Sequence, residues 1–460
     1  MKRDLTKAPI TKSLVVIAVP ITLANILHLA YTLIDTFWVG RLGANAVAAV
    51  SMSFPILFLL LSFGMGMAMA GTILVAQYKG KGGVNNINYI SAQMFSMIIV
   101  FSLVLSVLGY FVSEPILKAM GATPEILPDA VNYLQILFAG LIFSFLFFVF
   151  GSLMRGIGNV ISPMIIMLGT VILNAFLDPA FIMGWGPIPA LGVSGAAVVT
   201  IITQGLAGVI GLIILFGGKH GIKLRPKNFS PDFQLIWKII KLGFPSSIEQ
   251  AVRAIGMSVM FYIVAKFGAD IIAAYGIGTR ILSFAIIPSV GLAMATSTIA
   301  GQNIGAGQVE KAEKVTWISS AICFGILTIF GVITFGFAKE LAQFFMPNEP
   351  VAISQTVSLL KIIALSFGFT GVQMVISGTL KGAGETFASM ILSMIMIFIL
   401  VPLAYIFSSF TPLLQKGIWW AYPITYVLAA FVTMIWFLTG KWKKRKITKE
   451  IVVEEEILAP

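Results

Sequence analysis

Charge is what this chain has least of. Only 10% of its 460 residues are Asp, Glu, Lys or Arg, while 58% are hydrophobic; soluble domains carry about 25% charged residues. That balance excludes a soluble globular protein. The lack of any long polar segment between the apolar runs excludes a sizeable soluble domain as well. A single cysteine, Cys323, rules out an internal disulfide. With two histidines in all, no metal-ligand cluster emerges, and Walker loops and nucleophile–base motifs are absent too. The chain is therefore not expected to be an enzyme, to pump with ATP or to need a cofactor. The opening "MKRDLTKAPITK" is polar and unlike a cleaved signal peptide. A net charge of +12 would suit nucleic acid, but in a membrane protein basic residues collect in cytoplasmic loops, so no nucleic-acid partner is expected.

What is present is a series of apolar runs long enough to span a bilayer, which makes this an all-α polytopic membrane protein. The runs predict twelve transmembrane helices at 14–39, 46–77, 88–112, 130–153, 160–183, 191–216, 236–265, 271–302, 314–337, 355–380, 386–408 and 417–439. Counting residues at the cytoplasmic ends of spans with the adjoining loops, 22 basic residues fall in one set with the two termini and five in the opposite set. The first set, both termini included, is then cytoplasmic, which gives a multi-pass protein of the cell membrane. A shift of 225 residues superposes the chain on itself: Pro20 meets Pro245, "GMAMA" (66–70) meets "GLAMA" (291–295), and Gln77, Gly80 and Gly82 meet Gln302, Gly305 and Gly307. Two six-helix bundles, each with an even number of spans, should therefore be related by a pseudo-two-fold axis along the membrane normal. The expected parts are an N-terminal bundle at 1–216, a polar linker at 217–235, a C-terminal bundle at 236–439 and a charged tail at 440–460.

Three acids interrupt the spans: Asp35, Asp178 and Glu249. A charged Asp at a helix centre costs about 2.5–3.5 kcal/mol on insertion scales, so such residues face the protein interior or water and mark function. Asp35 and Asp178 both lie in the outer parts of outward-running helices. Asn174 precedes Asp178 by four residues, on the same helix face. Two carboxylates in one chamber repel each other and are relieved by taking up a proton, and with an amide oxygen they form a plausible Na⁺ cage. The second half has no counterpart, since Asp35 maps to Met260 and Asp178 falls near Val401. Coupling to H⁺ or Na⁺ is therefore expected in the first half. Glu249 and Arg253 are spaced i,i+4 and read as a structural ion pair. His28, seven residues before Asp35, reads as a polar lining residue. Pro20 and Pro245 each remove a helical hydrogen bond and favour a bend.

The stretches "IDTFWVGRLGANAVAAV", "AQYKGKG", "GSLMRGIGN", "LNAFLDPAFI", "LGVSGAAVVT", "IAAYGIGTRI", "AGQNIGAG" and "GTLKGAGET" resemble, in order and over nearly the whole chain, the MATE family of multidrug and toxic compound extrusion transporters. The resemblance implies two bundles facing a central cleft and cation-coupled antiport of drug-like, often cationic or amphipathic, small molecules by a monomer in the lipid bilayer. Where the NorM branch carries an acid eight residues after the proline, this chain has Arg253. Asp35 in "IDTFWVG" and Asp178 in "LNAFLDP" match the DinF branch instead, with Asn174 its accompanying asparagine and Thr200 a threonine of the same cluster. The resemblance implies that ion loading there bends the first helix near Pro20. It also makes Asn25, His28, Tyr31 and Tyr133 candidate substrate-lining residues. The competing readings are a lipid-linked oligosaccharide flippase of the wider superfamily, which would want a more basic cavity, and a membrane-embedded enzyme, for which no acid–base set is found outside the aspartates.

Overall fold

The computed structural model describes residues 5–347, 349–445 and 447–450. Sixteen α-helices follow in chain order: α1 (Ile10–Gly40), α2 (Ala44–Lys81), α3 (Val84–Ala119), α4 (Leu127–Ala139), α5 (Leu141–Gly156), α6 (Ile161–Met183), α7 (Val193–Gly217), α8 (Phe233–Ala265), α9 (Ala269–Gly305), α10 (Val309–Gly336), α11 (Ala338–Phe345), α12 (Pro350–Ala364), α13 (Phe367–Ala383), α14 (Thr386–Phe410), α15 (Gln415–Leu438) and the short α16 (Ile447–Glu450). Ten are long and apolar enough to cross a membrane, and two bent pairs bring the number of spans to twelve. The lipid-facing character is plain on α3, where Val100, Leu103, Val104, Val107, Leu108 and Phe111 stay exposed. That i, i+3, i+4, i+7 stripe is an apolar surface that only lipid can cover.

The fourth and tenth spans differ from the expectation of unbroken helices at 130–153 and 355–380. Each is two helices, α4 with α5 and α12 with α13, bent by 49° and 51°. The first break falls at Gly140, where a Cβ would overlap the Ile201 side chain of α7, so the missing side chain lets α7 close in at the bend. The second falls at Leu365–Ser366, where the Ser366 hydroxyl donates to the Ile363 carbonyl at 2.8 Å and competes with the helical ladder. The two breaks sit at matching places of the two halves, so the internal repeat extends to the irregularities.

The chain forms two compact units, and the division passes inside α1 and α8. One unit contains Leu23–Ile248 with 447–450; the other contains 5–22 and 249–445. The first half of α8 thus belongs to the first unit. Leu235, Ile239 and Leu242 enter its core with Ile73, Phe95, Phe145, Phe150 and Tyr78, and the Ser247 hydroxyl donates to the Phe63 carbonyl of α2. The first half of α1 belongs to the second unit, where Leu14 and Ile17 are fully buried. Two equivalent glycines permit these crossings: a Cβ at Gly66 would overlap Ser247, and one at Gly291 would overlap Thr22. Each division comes just after a proline, Pro20 or Pro245, which lies inside its helix. The linker between the halves is bound along α3. Gln93 Nε2 donates to the carbonyls of Asn228 (2.8 Å) and Ser230 (2.7 Å), and its Oε1 accepts from the Asp232 amide at 2.9 Å.

Candidate ion-coupling site

Asp35, on the C-terminal half of α1, meets the face of α6 that carries Asn174 and Asp178. The Asn174 amide nitrogen donates to Asp35 Oδ1 at 2.9 Å and to Asp178 Oδ1 at 3.1 Å. The two carboxylates lie within hydrogen-bond reach of each other, a contact that the sequence alone left open. The i,i+4 spacing on α6 makes the bridge possible, because one asparagine then stands beside its own helix's carboxylate and opposite that of α1. Asn174 and Asp178 are both fully buried, and Asp35 is half-buried. Asp178 Oδ2 and Asn174 Oδ1 are buried without a hydrogen-bond partner.

Tyr31 lies one turn before Asp35 on the same face of α1. Its hydroxyl is 2.9 Å from Thr203 Oγ1 of α7. Thr203 can spend its own proton on the carbonyl of Val199 at 2.9 Å, which leaves Tyr31 as donor. Thr200 lies one turn before Thr203 on α7, and its carbonyl accepts from Thr203 Oγ1 at 3.1 Å. Tyr133 of α4 packs with Val39, Ile182 and Val193, close enough to both aspartates to feel their charge. Asn25 and His28 lie further back along α1: the Asn25 Nδ2 is buried without a partner, and His28 is exposed. The C-terminal half of α1 is thus tied to α6 through Asp35 and to α7 through Tyr31. Thr203 was not singled out from the sequence; nothing in the text of α7 separates it from Thr200.

Among the described residues no three His, Cys, Asp or Glu side chains converge as a metal-binding group. The cluster offers two carboxylates and one amide. At ~4 Å and an effective dielectric of ~20, two unit charges of one sign repel by about 4 kcal/mol, and each orphaned buried oxygen adds about 1–3 kcal/mol. One monovalent cation, shared between the carboxylates, relieves the repulsion. Losing it restores the repulsion across the α1–α6 contact. The arrangement is therefore a chemical means of loosening or tightening the hold on α1.

In the other unit, Glu249 of α8 is buried at 1% exposure and accepts from Arg253 Nη2 at 2.9 Å. The sequence reading missed its second cation, Lys381 of α13, whose Nζ is 2.9 Å from Oε2 and 3.0 Å from Oε1. Lys381 is the counterpart of Arg155 in the "GSLMRGIGN" and "GTLKGAGE" repeat, but spacing along the chain does not say which acid it meets.

Set against known proteins, this geometry has clear company. The MatE family model matches residues 20–180 and 245–406. Among curated proteins, "Probable multidrug resistance protein YoeA" of Bacillus subtilis (strain 168) is 28% identical over 97% of both chains. "Probable multidrug resistance protein YpnP" of the same organism is 29% identical over 97% of this chain and 99% of its own. Among solved structures, an outward-facing multidrug resistance MATE family transporter of the MOP superfamily superposes with a TM-score of 0.89 at 25% identity, covering 96% of this chain and 98% of that one.

Proposed function

This chain belongs to the MatE family, and from that premise we propose that it exports small drug-like molecules across the cell membrane in exchange for one cation loaded at Asp35 and Asp178. The similarity to YoeA, YpnP and the solved multidrug transporter supports the export. The observation that carries the coupling is the Asn174 amide bridging two carboxylates that themselves lie within hydrogen-bond reach. An amide N–H aimed at both leaves a proton as the cation that fits between them. A Na⁺ ion would need the amide oxygen turned inward instead. The acids on α1 and α6, with Arg253 in place of an acid on α8, favour the DinF-like branch.

The sequence of events follows from the contacts. With one proton on the pair, repulsion falls and Asp35 stays against α6, while Tyr31 keeps its bond to Thr203. When the proton leaves, the two charges push the outer half of α1 from α6. The half of α1 before Pro20 is packed in the other unit, and Pro20 denies the Val16 carbonyl its helical donor, so the bend falls there. The basic-residue asymmetry supports placing both termini on the cytoplasmic side, with the loaded site toward the outside. The division into six-span bundles at 1–216 and 236–439, joined by 217–235, describes the chain as a transporter working as a single polypeptide.

Purified protein in sealed proteoliposomes tests the reading. An imposed pH gradient without Na⁺ should drive ethidium accumulation, and a Na⁺ gradient at equal pH should not. Accumulation under the Na⁺ gradient alone would replace the proton by Na⁺. Accumulation under neither gradient would remove the coupling.

A further inference from the structure

The two units treat their cations differently. In the second unit Arg253 and Lys381 share Glu249, Lys443 Nζ is 2.7 Å from Glu313, Arg445 is 3.3 Å from Glu385, and Lys311 Nζ donates to the Thr6 carbonyl. The first unit has no such arrangement where its linker meets α8. The stretch 219–241 carries Lys219, Lys223, Arg225, Lys227, Lys238 and Lys241 against one acid, Asp232. That acid is already engaged: its Oδ1 accepts from the Leu235 amide at 2.9 Å, at the start of α8, and its Oδ2 from the Tyr89 hydroxyl at 3.2 Å. Among the described residues Lys219, Lys223, Arg225, Lys238 and Lys241 meet none of the acids that form ion pairs. All but the half-buried Arg225 are exposed. The segments that the linker touches add cations and no acid. Asn88 accepts from the Lys223 amide at 2.8 Å, and 76–93 holds Lys79 and Lys81. Asn159 bonds His220 at 3.2 Å, and 150–163 holds Arg155, whose Nε is buried without a partner.

Charge alone would serve topology, and any loop position would do for that. The apolar groups beside it say more. Leu235, Ile239 and Leu242 of α8 turn into the core. The opposite face leaves Phe233 78%, Trp237 67% and Phe244 45% exposed. Their spacing of i, i+4 and i+11 puts the three rings in one stripe, with Lys241 on its border and Lys238 next to that. The helix has 33 residues, about 50 Å at 1.5 Å each, against a hydrocarbon core of about 30 Å. Its first turns therefore lie among headgroups, where a Trp ring and a Lys stem can sit in the apolar layer while the ammonium reaches a phosphate. A soluble anion or a nucleic acid would satisfy the cations and leave the rings bare, whereas a lipid covers both. A zwitterionic lipid brings its own cation; an anionic one brings the phosphate charge that this face lacks.

We propose that the linker cations and the first three turns of α8 form a binding face for anionic phospholipid, with the headgroup phosphate among Lys223, Arg225, Lys238 and Lys241 and the acyl chains along Phe233, Trp237 and Phe244. The whole face belongs to the first unit. It holds the part of α8 that precedes Pro245, so the lipid adds to the grip of Leu235, Ile239 and Leu242 on that half of the helix. Neither drug export nor ion coupling enters the argument.

The test uses full-length protein purified in detergent, mixed with equal amounts of phosphatidylglycerol and phosphatidylcholine of the same acyl chains, purified again, and assayed by mass spectrometry for the lipid it retains. The wild type should keep about tenfold more phosphatidylglycerol than phosphatidylcholine, and about 0.5 M NaCl should erase most of that preference. Lys238→Gln with Lys241→Gln should cut the ratio by about fivefold, and adding Lys223→Gln and Arg225→Gln should bring it to about one. Lys339→Gln with Lys416→Gln removes two exposed charges outside this face and should leave the ratio within about twofold. Trp237→Ala keeps every charge and should lower retained phosphatidylglycerol by about threefold. Equal retention of the two lipids by the wild type, an unchanged ratio in the four-residue variant, an equal loss in the Lys339 and Lys416 variant, or full retention by Trp237→Ala would each overturn the proposal. So would a preference that appears only when the chain is ended at Glu450, which would assign the face to the acidic run Glu454, Glu455 and Glu456 of the chain itself.

Discussion

Replacing Asp35 by Asn changes the coupling cluster by one charge and almost nothing in shape. Its new amide can donate to Asp178, and its oxygen can still accept from Asn174, which stands 2.9 Å from Asp35 Oδ1. The repulsion between the carboxylates, about 4 kcal/mol at ~4 Å and a dielectric of ~20, disappears whether or not a proton is bound. The variant should insert normally and melt no lower than the wild type, since a source of strain has been removed. Coupling is what it loses. A gradient of one pH unit is worth about 1.4 kcal/mol per proton, which for one-for-one exchange sustains at most about a tenfold accumulation of ethidium. In proteoliposomes the wild type should approach that ratio and track the imposed gradient, while Asp35→Asn should stay near unity at every gradient. Accumulation by Asp35→Asn that follows the gradient as the wild type does would refute the assignment. A variant that fails to fold would refute the argument that the charge pair costs stability rather than supplying it.

Four further outcomes follow from the same contacts. Asn174→Leu removes the bridge and leaves two buried carboxylates with fewer partners at about 1.5–3 kcal/mol per lost charged hydrogen bond, so accumulation should collapse and the melting temperature fall, unlike Asp35→Asn. Gly291→Val would drive side-chain atoms into Thr22 and should cost about 1–3 kcal/mol by overpacking, read as a lower melting temperature, with Gly66→Val against Ser247 behaving alike. Gln93→Leu strands three polar groups of the 228–232 linker, and cleavage of that linker by added protease should become faster. Trp442→Ala opens the site where a fully buried indole stacks on Phe437 at 4.9 Å; such truncations cost about 3–5 kcal/mol, which a thermal melt will show.

Much of this architecture is legible in the order of residues, because a bilayer leaves the backbone little choice. Apolar runs of spanning length must become helices, which placed the spans, and prolines, glycines and glutamines recurring at a shift of 225 residues placed the repeat. The acids were legible for a related reason: a carboxylate is so costly in hydrocarbon that Asp35, Asp178 and Glu249 announce themselves. What could not be read was anything decided between distant segments. The bends at Gly140 and Ser366 come from α7 pressing against one glycine and from a serine turning on its own helix, and neither leaves a mark in hydropathy. The short α11 is similar, an eight-residue turn of helix where the text offered only a loop. The pairing of Tyr31 with Thr203 and of Lys381 with Glu249 depends on how helices rotate about their axes, which periodicity constrains only loosely when every face is apolar.

The repeat makes the chemical asymmetry of the halves sharper than their shared fold. Under the shift of 225, Ala24 falls on Glu249, His28 on Arg253 and Asp35 on Met260. The same helix in each half thus carries its acid at a different height. In α1 the acid lies 15 residues beyond Pro20, where a second acid and an asparagine from α6 await it. In α8 the acid lies four residues beyond Pro245, already neutralised, and the surplus is a guanidinium. A site that exchanges protons needs carboxylates that can be relieved of charge, and Glu249 cannot play that part while two cations hold it.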